Sequence, residues 1–171
     1  MARETILVDQ KGAYLTADLI ERAEIIFSER VRKELSEAAI QDVRQAGKAL
    51  VLELPTAAGF HMLRATESVI RAYYKAVVGK LPKSRNWGVY VKDLKAKGAD
   101  AKVVGVIDQL RELHRNPLMH PEETLSEDEA IVIFGLAQSV IVAMVGDIVR
   151  RTSKPTAPLP AVIRAALPTG P

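Results

Sequence analysis

Seventeen consecutive residues, Ala130 to Gly146, carry no charge. In water such a segment needs cover over most of its surface; in a bilayer it stands at the short limit of a spanning helix. Its interior speaks for cover by protein. Gln138 and Ser139 sit at its centre, Gly135 and Gly146 dilute it, no aromatic anchors mark its ends, and Asp147 interrupts it. The expectation is a central buried helix, with no membrane as partner.

The rest of the chain must then supply walls around that helix. With 48% apolar and 26% charged residues in 171, the composition suits one domain with a real core. From Ala17 onward, Leu19, Ile20, Ala23, Ile26, Phe27, Val31 and Leu35 recur at spacings of three and four, which predicts one amphipathic helix. Ser36 predicts the cap of a second helix that ends before Pro55. Thr56 is expected to cap a third, stopped after Val78 by Gly79, with a loop over Lys80 to Asn86. A short helix over Trp87 to Ala96 is broken at Gly98, and Asp100 caps another through about His114. Ser126 with Glu129 forms a capping box for the last helix, through about Arg151. Ahead of all this, Thr5 to Val8 and the turn signal at Asp9 to Gly12 predict a small arm or hairpin. The fold class expected is all-α, an up-and-down helical bundle. Residues 1–54 form an N-terminal arm and two-helix extension, 55–151 the bundle, and 152–171 a Pro-rich extended tail.

Several function classes fall away. The formal charge of +3 is too small for net attraction alone to dictate a nucleic acid or membrane partner. The chain has no cysteine, which removes disulfides, thiolate metal sites and cysteine nucleophiles, and suits a reducing, cytoplasmic compartment. No charged-then-apolar leader opens the chain. The three histidines, His61, His114 and His120, lack close metal-ligand spacing, so neither a metal nor another cofactor is expected; His61 and His114 read as packing or hydrogen-bonding residues. A phosphate-binding loop, a Gly-x-Ser-x-Gly elbow and a dinucleotide fingerprint are all missing from the sequence.

Charge is nevertheless local. From Arg64 to Lys102 there are ten basic residues against three acidic ones, with Tyr73, Trp87 and Tyr90 among them. Cations interleaved with aromatic rings suit phosphates and stacked single-stranded bases. The candidate RNA contacts are Arg71, Lys75, Lys80, Lys83, Arg85, Trp87, Tyr90 and Lys92. The plainer alternative is a solvated lysine surface whose aromatics anchor the loop to the bundle. Within the third helix, Phe60, Leu63, Ile70, Tyr74 and Val77 form an apolar row that Glu67 interrupts. A carboxylate in a core-facing slot needs a partner, and Arg71, Arg64 and Arg115 are the candidates.

The stretch from His114 to Glu122 holds the remaining chemistry. Pro117 is expected to push Asn116 out of helical geometry and Pro121 to do the same to His120, giving a tight turn between two helices. Arg115 and His120 are five apart, about 140° around a continuous helix, and a bend brings them together. A guanidinium that is always charged, beside the side chain that titrates nearest neutrality, makes a pair suited to phosphodiester chemistry.

Arg115 Asn116 Pro117 Leu118 Met119 His120 resembles the Arg-Asn-x-x-x-His motif of the HEPN (higher eukaryotes and prokaryotes nucleotide-binding) superfamily. The likeness covers about residues 55 to 151, and Pro117 and Pro121 make the turn more rigid than in many members. It implies a four-helix bundle, usually dimeric, of the kind found in metal-independent endoribonucleases of toxin–antitoxin and phage-defence systems. By that resemblance His120 takes the proton of a ribose 2′-hydroxyl, Arg115 compensates charge on the phosphate, and Asn116 holds a phosphate oxygen or fixes the imidazole tautomer. Glu67 joins the catalytic set as the polar residue on the helix facing the motif. The resemblance further implies a homodimer in which the partner's motif supplies the general acid, RNA as substrate, and an antitoxin or nucleotidyltransferase as partner. The alternative is a non-catalytic α-helical dimerisation or binding module, with Arg115 merely paired to Glu112, Glu122 or Glu123.

Overall fold

The computed structural model describes residues 9–83, 86–118, 120 and 122–153. A two-residue hairpin comes first: β1 (Gln10–Lys11) pairs antiparallel with β2 (Tyr14–Leu15), Gln10 opposite Leu15 and Lys11 opposite Tyr14. Gly12 turns the chain at a φ of 59°, a value glycine adopts without steric cost. The expected start of this arm, Thr5 to Val8, lies outside the described residues, as does the expected tail from residue 154 onward.

The remainder is an all-α helical bundle, as expected. The helices are α1 (Thr16–Arg22), α2 (Glu29–Arg32), α3 (Glu37–Val51), α4 (Pro55–Val78), α5 (Trp87–Ala96), α6 (Ala101–Leu110), α7 (Asn116–Leu118) and α8 (Glu127–Thr152). Helix α4 is the centre, packed against α3 on one side and α8 on another, while α6 also lies on α8. Local caps account for many of the starts. Ser36 accepts from the Ala39 N–H, Asp100 from the Lys102 and Val103 N–H groups, and Ser126 with Glu129 closes a reciprocal capping box.

Two local expectations are corrected. The amphipathic run from Ala17 to Leu35 is not one helix: a 3₁₀ turn (Ala23–Ile26) and extended Phe27 divide α1 from α2. Ser28 caps a fresh helix by accepting from the Val31 N–H at 3.4 Å, and the break frees the Ile26 carbonyl to accept from Gln138 Nε2 at 2.8 Å. Thr56 does not cap α4, which begins at Pro55 with no side-chain cap on Leu54. Its hydroxyl accepts instead from the Leu125 N–H at 3.0 Å, tying the segment ahead of α8 to the start of α4. Gly59 permits that approach, since a Cβ there would meet Leu125 Cδ1 at 2.5 Å.

Among the described residues, α8 is the one helix long and apolar enough to cross a membrane, and 44% of its most apolar window is buried. Ile133, Phe134, Ala137, Ile141 and Met144 are fully buried against the bundle. The polar Gln138 is engaged on both ends of its amide: Tyr14 donates its hydroxyl to Oε1 at 2.8 Å, while Tyr14's ring meets Phe134 edge-on at 4.9 Å. Buried Lys11 fastens the hairpin to the start of α8, donating to Glu127 at 2.6 Å and to Glu53 at 3.3 Å. The hydrogen bond to Glu127 is the main reason its pKa is raised despite burial, and Glu53 adds to it.

The far end of α8 is held by a buried carboxylate. Asp147 accepts from the Tyr73 hydroxyl at 2.8 Å, from Arg151 Nε at 2.8 Å and from Arg150 at 3.2 Å. Tyr73 in turn accepts from the Asp100 N–H at 3.3 Å, and Arg151 donates to the Gly98 carbonyl at 3.3 Å. One network therefore joins α4, α8 and the α5–α6 turn. Burial, and then the hydrogen bond to Asp147, push the Tyr73 hydroxyl up to about 12. Burial alone would raise the Asp147 carboxyl, but the Arg151 and Tyr73 hydrogen bonds outweigh it and hold it below the ordinary value. A depressed folded-state pKa stabilises above the unfolded value near pH 4 and is lost as pH falls through the folded value. Asp147→Ala should cost about 2–4 kcal/mol by denaturant unfolding near neutral pH, and Asp147→Asn should remove part of the wild type's loss of stability on acidification below about pH 4.

Candidate functional site

The helix that begins at α6 does not end before the motif. Its ladder widens into a π turn (Arg111–Arg115), in which the Asn116 N–H reaches back to the Arg111 carbonyl, and then resumes as α7. Asn116 is helical, with φ −64° and ψ −49°, against the expectation that Pro117 displaces it. In a regular helix the Pro117 ring would collide with the carbonyl of Leu113; the wider turn supplies the room. The turn that breaks the helix comes later. There the His120 N–H donates to the Pro117 carbonyl at 2.9 Å, and the Glu123 N–H donates to the His120 carbonyl at 3.1 Å. Met119 and Pro121 of this stretch lie outside the described residues.

This path carries Arg115 to the face of Trp87, with its guanidinium carbon 5.9 Å from the ring centroid. The same indole donates its N–H to Glu67 Oε2 at 2.9 Å. Glu67 therefore finds its partner in Trp87, neither in Arg115 nor in Arg71, and among the described residues it joins no ion pair. A hollow of about 240 Å³ opens here, lined by Phe60, Leu63, Arg64, Glu67, Trp87, Arg115 and Leu118. Its walls are mostly apolar, with Arg64, Glu67 and Arg115 as the charged members. The pairing of Arg115 with an acid, which the alternative reading requires, is not found among the described residues: Glu112 is taken by Arg111 at 2.7 Å, and Arg115 makes no ion pair there. His120 is exposed and is not part of the hollow's lining; Asn116 is exposed as well.

The other expected contacts divide by burial. Lys75, Lys80, Lys83 and Lys92 are exposed and Arg71 is half-buried, and none of the five is ion-paired among the described residues. Arg85 lies outside the described residues. Trp87 and Tyr90 are 1% and 0% exposed, so neither ring offers a free face on which a base could stack. Both pack into the bundle and anchor α5, with Tyr90 tilted against Tyr74 at 5.7 Å. This corrects their expected role, because an aromatic in a loop-flanking helix fills core first when the core has room.

Asp42 is a neighbour of the site that the sequence does not single out. Arg64 lines the hollow and also lies 3.4 Å from Asp42, which in turn contacts His61 Nδ1 at 2.9 Å. His61 is thus a hydrogen-bonding residue, as expected. On the far side of the Arg64–Glu67 ridge, a second hollow of about 360 Å³ is lined by Asp42, Arg64, Glu67, Ser68 and Arg71. His114 is half-buried, and burial lowers its pKa although Glu129 opposes this. The spacing of Phe60, Leu63, Arg64 and Glu67 on one helix face was the available signal; the convergence of Trp87 on that face was not readable locally.

Compared with family models, curated proteins and solved structures, the chain matches none.

The site's geometry makes Glu67 a structural anchor of Trp87. Glu67→Ala leaves a buried indole N–H unpaired and should cost about 1–3 kcal/mol, whereas Glu67→Gln keeps an acceptor and should cost much less. Urea unfolding followed by fluorescence checks this, since Trp87 is the sole tryptophan.

Proposed function

We propose that this protein is a HEPN-like endoribonuclease that cleaves RNA without a metal ion, using Arg115 and His120. The observation that supports the reading is a guanidinium with no ion-pair partner among the described residues, held over Trp87 beside a largely apolar hollow, on the same short stretch as an exposed imidazole. An unneutralised arginine so placed suits a phosphate better than it suits the fold. The hollow takes a base or sugar against Phe60, Leu63 and Leu118, and the phosphate stays at the rim.

In this reading His120 removes the 2′-hydroxyl proton while the 2′ oxygen attacks the adjacent phosphorus. Charge that builds on the non-bridging oxygens is met by Arg115. The bond to the 5′ oxygen breaks, that oxygen takes a proton from solvent, and the products are a 2′,3′-cyclic phosphate and a 5′-hydroxyl. Asn116, exposed beside Arg115, serves as a donor to a phosphate oxygen. Glu67 acts as a positioning residue through Trp87. The exposed Lys75, Lys80, Lys83 and Lys92 guide the rest of the strand by charge alone.

Single-stranded and structured RNA incubated with the protein in excess chelator should be cut to cyclic-phosphate ends. His120→Ala should lower the rate by about 10²–10⁴-fold, and Arg115→Ala by about 10²–10³-fold, with the thermal midpoint of His120→Ala unchanged because the side chain is exposed. Equal residual cleavage by wild type and His120→Ala would sink the reading.

A further inference from the structure

The hollow beside Trp87 holds more hydrogen-bonding capacity than the fold consumes. Glu67 is half-buried in its lining, and an ionised carboxylate offers about four acceptor sites and no donor. Among the described residues one N–H reaches it, that of Trp87 on Oε2 at 2.9 Å, while Oε1 accepts nothing. A carboxylate tethered on one oxygen and open on the other is oriented without being satisfied. Arg64 and Arg115 border the same hollow, the Arg64 guanidinium carbon lies 6.0 Å from the centroid of Phe60, and Phe60 is 40% exposed. Phe60 thus supplies the aromatic face that buried Trp87 and Tyr90 withhold.

These parts select among bases by their donors. Single-stranded bases are read by a stacked ring and by hydrogen bonds along an exposed edge. Guanine is the base whose Watson–Crick edge sets two donors side by side, N1–H and an N2 amino hydrogen, with the O6 acceptor next to them. A carboxylate takes both donors at once, and a guanidinium takes O6. In cytosine and adenine the single amino donor has an unprotonated ring nitrogen beside it, whose lone pair would face the carboxylate. Uracil sets its one N–H between two carbonyls. At about 240 Å³ the hollow lies below the roughly 300 Å³ where sites for drug-sized ligands begin, which suits one base and not a whole nucleotide.

We infer that this hollow is a guanine pocket, in which Glu67 accepts from N1–H and the N2 amino group, Phe60 stacks on the ring and Arg64 donates to O6. The inference rests on the ribonuclease reading, which places a base here, and it adds which base: cleavage falls at a phosphate adjoining guanosine. Arg115 serves the phosphate in that reading, so Arg64 is left for O6. Its contact with Asp42 runs through Nε at 3.4 Å, and among the described residues its two terminal nitrogens have no partner. Glu67 then has two tasks on its two oxygens, positioning Trp87 with one and reading the base with the other.

Two sets of short uridine-rich strands test the pocket, alike except for guanine, hypoxanthine, adenine or cytosine at one central position. One set is RNA, for cleavage in excess chelator; the other is 2′-deoxy, lacking the attacking hydroxyl, for binding by fluorescence anisotropy. Guanine should bind about 10–100-fold tighter than adenine or cytosine, the range of hydrogen bonds to a charged group, and hypoxanthine, which lacks only the N2 amino group, about tenfold more weakly than guanine. Glu67→Gln keeps a carbonyl for Trp87 but sets an NH₂ where guanine's donors arrive, and should bring guanine to within about threefold of adenine. The comparison of guanine with hypoxanthine needs no variant, and equal binding of the two by wild type would overturn the pocket. So would a guanine preference that survives in a Glu67→Gln protein shown by circular dichroism to be folded, or a wild type that binds no strand. Guanine-selective binding without cleavage would uphold the pocket and remove the ribonuclease reading, whereas cleavage indifferent to the base would do the reverse.

Discussion

Helix α8 must be covered, and α4, α6 and the β1–β2 hairpin are placed to cover it. The helix is apolar for most of its length, and an uncovered apolar helix in water is penalised in proportion to its area. Helix α4 covers the largest part, α6 a second, and the β1–β2 hairpin a third through Tyr14 on Phe134. Polar groups within α8 are handled individually. Gln138 is bonded at both ends of its amide, and Asp147 is satisfied by a tyrosine and two arginines. The hairpin is too short to be stable alone, and its burial on α8 with Lys11 between two glutamates is what holds it.

At the candidate site, Trp87 plays the organising part. Its ring is core, its N–H satisfies Glu67, and its face receives Arg115. Three elements distant in sequence thus meet on one side chain: α4 brings the carboxylate, α5 the indole, and the π turn the guanidinium. Among the described residues the guanidinium is oriented but joins no ion pair, a combination suited to an external anion. The proposed catalytic reading rests on that combination, with His120 outside the hollow's lining.

What the sequence revealed follows the range of the interactions involved. Capping by Ser36, Asp100 and the Ser126–Glu129 pair was legible because donor and acceptor lie within three residues. The stop at Gly79, with φ 83°, was legible for the same reason. Thr56 was misread because its hydroxyl serves Leu125, 69 residues away, and the helix was already started by Pro55. The periodicity from Ala17 to Leu35 was real but could not reveal the break, since Phe27 is buried whether the helix continues or not. The apolar row around Glu67 shows that it needs a partner, and its local candidates are all charged, whereas the distant, neutral indole N–H of Trp87 meets the need. Trp87 and Tyr90 show the opposite failing: composition suggested stacking platforms, and packing consumed both rings.

The π turn has a consequence for the phase of the chain. Each residue in a helix advances the side chains by about 100°, so a wide turn shifts everything after it relative to everything before. In an even winding the buried Leu118, eleven residues or about 1100° after Ile107, would lie on the same wall as the buried row Val103, Ile107 and Leu110, so the wide turn directs it to a different wall. Shortening the segment by one residue would restore an even winding, at the expense of returning Pro117 to the collision it now avoids and swinging Leu118 away from Phe60 and Leu63. The irregularity thus works as a phase correction: a small slip in winding lets one helix serve two differently facing surfaces.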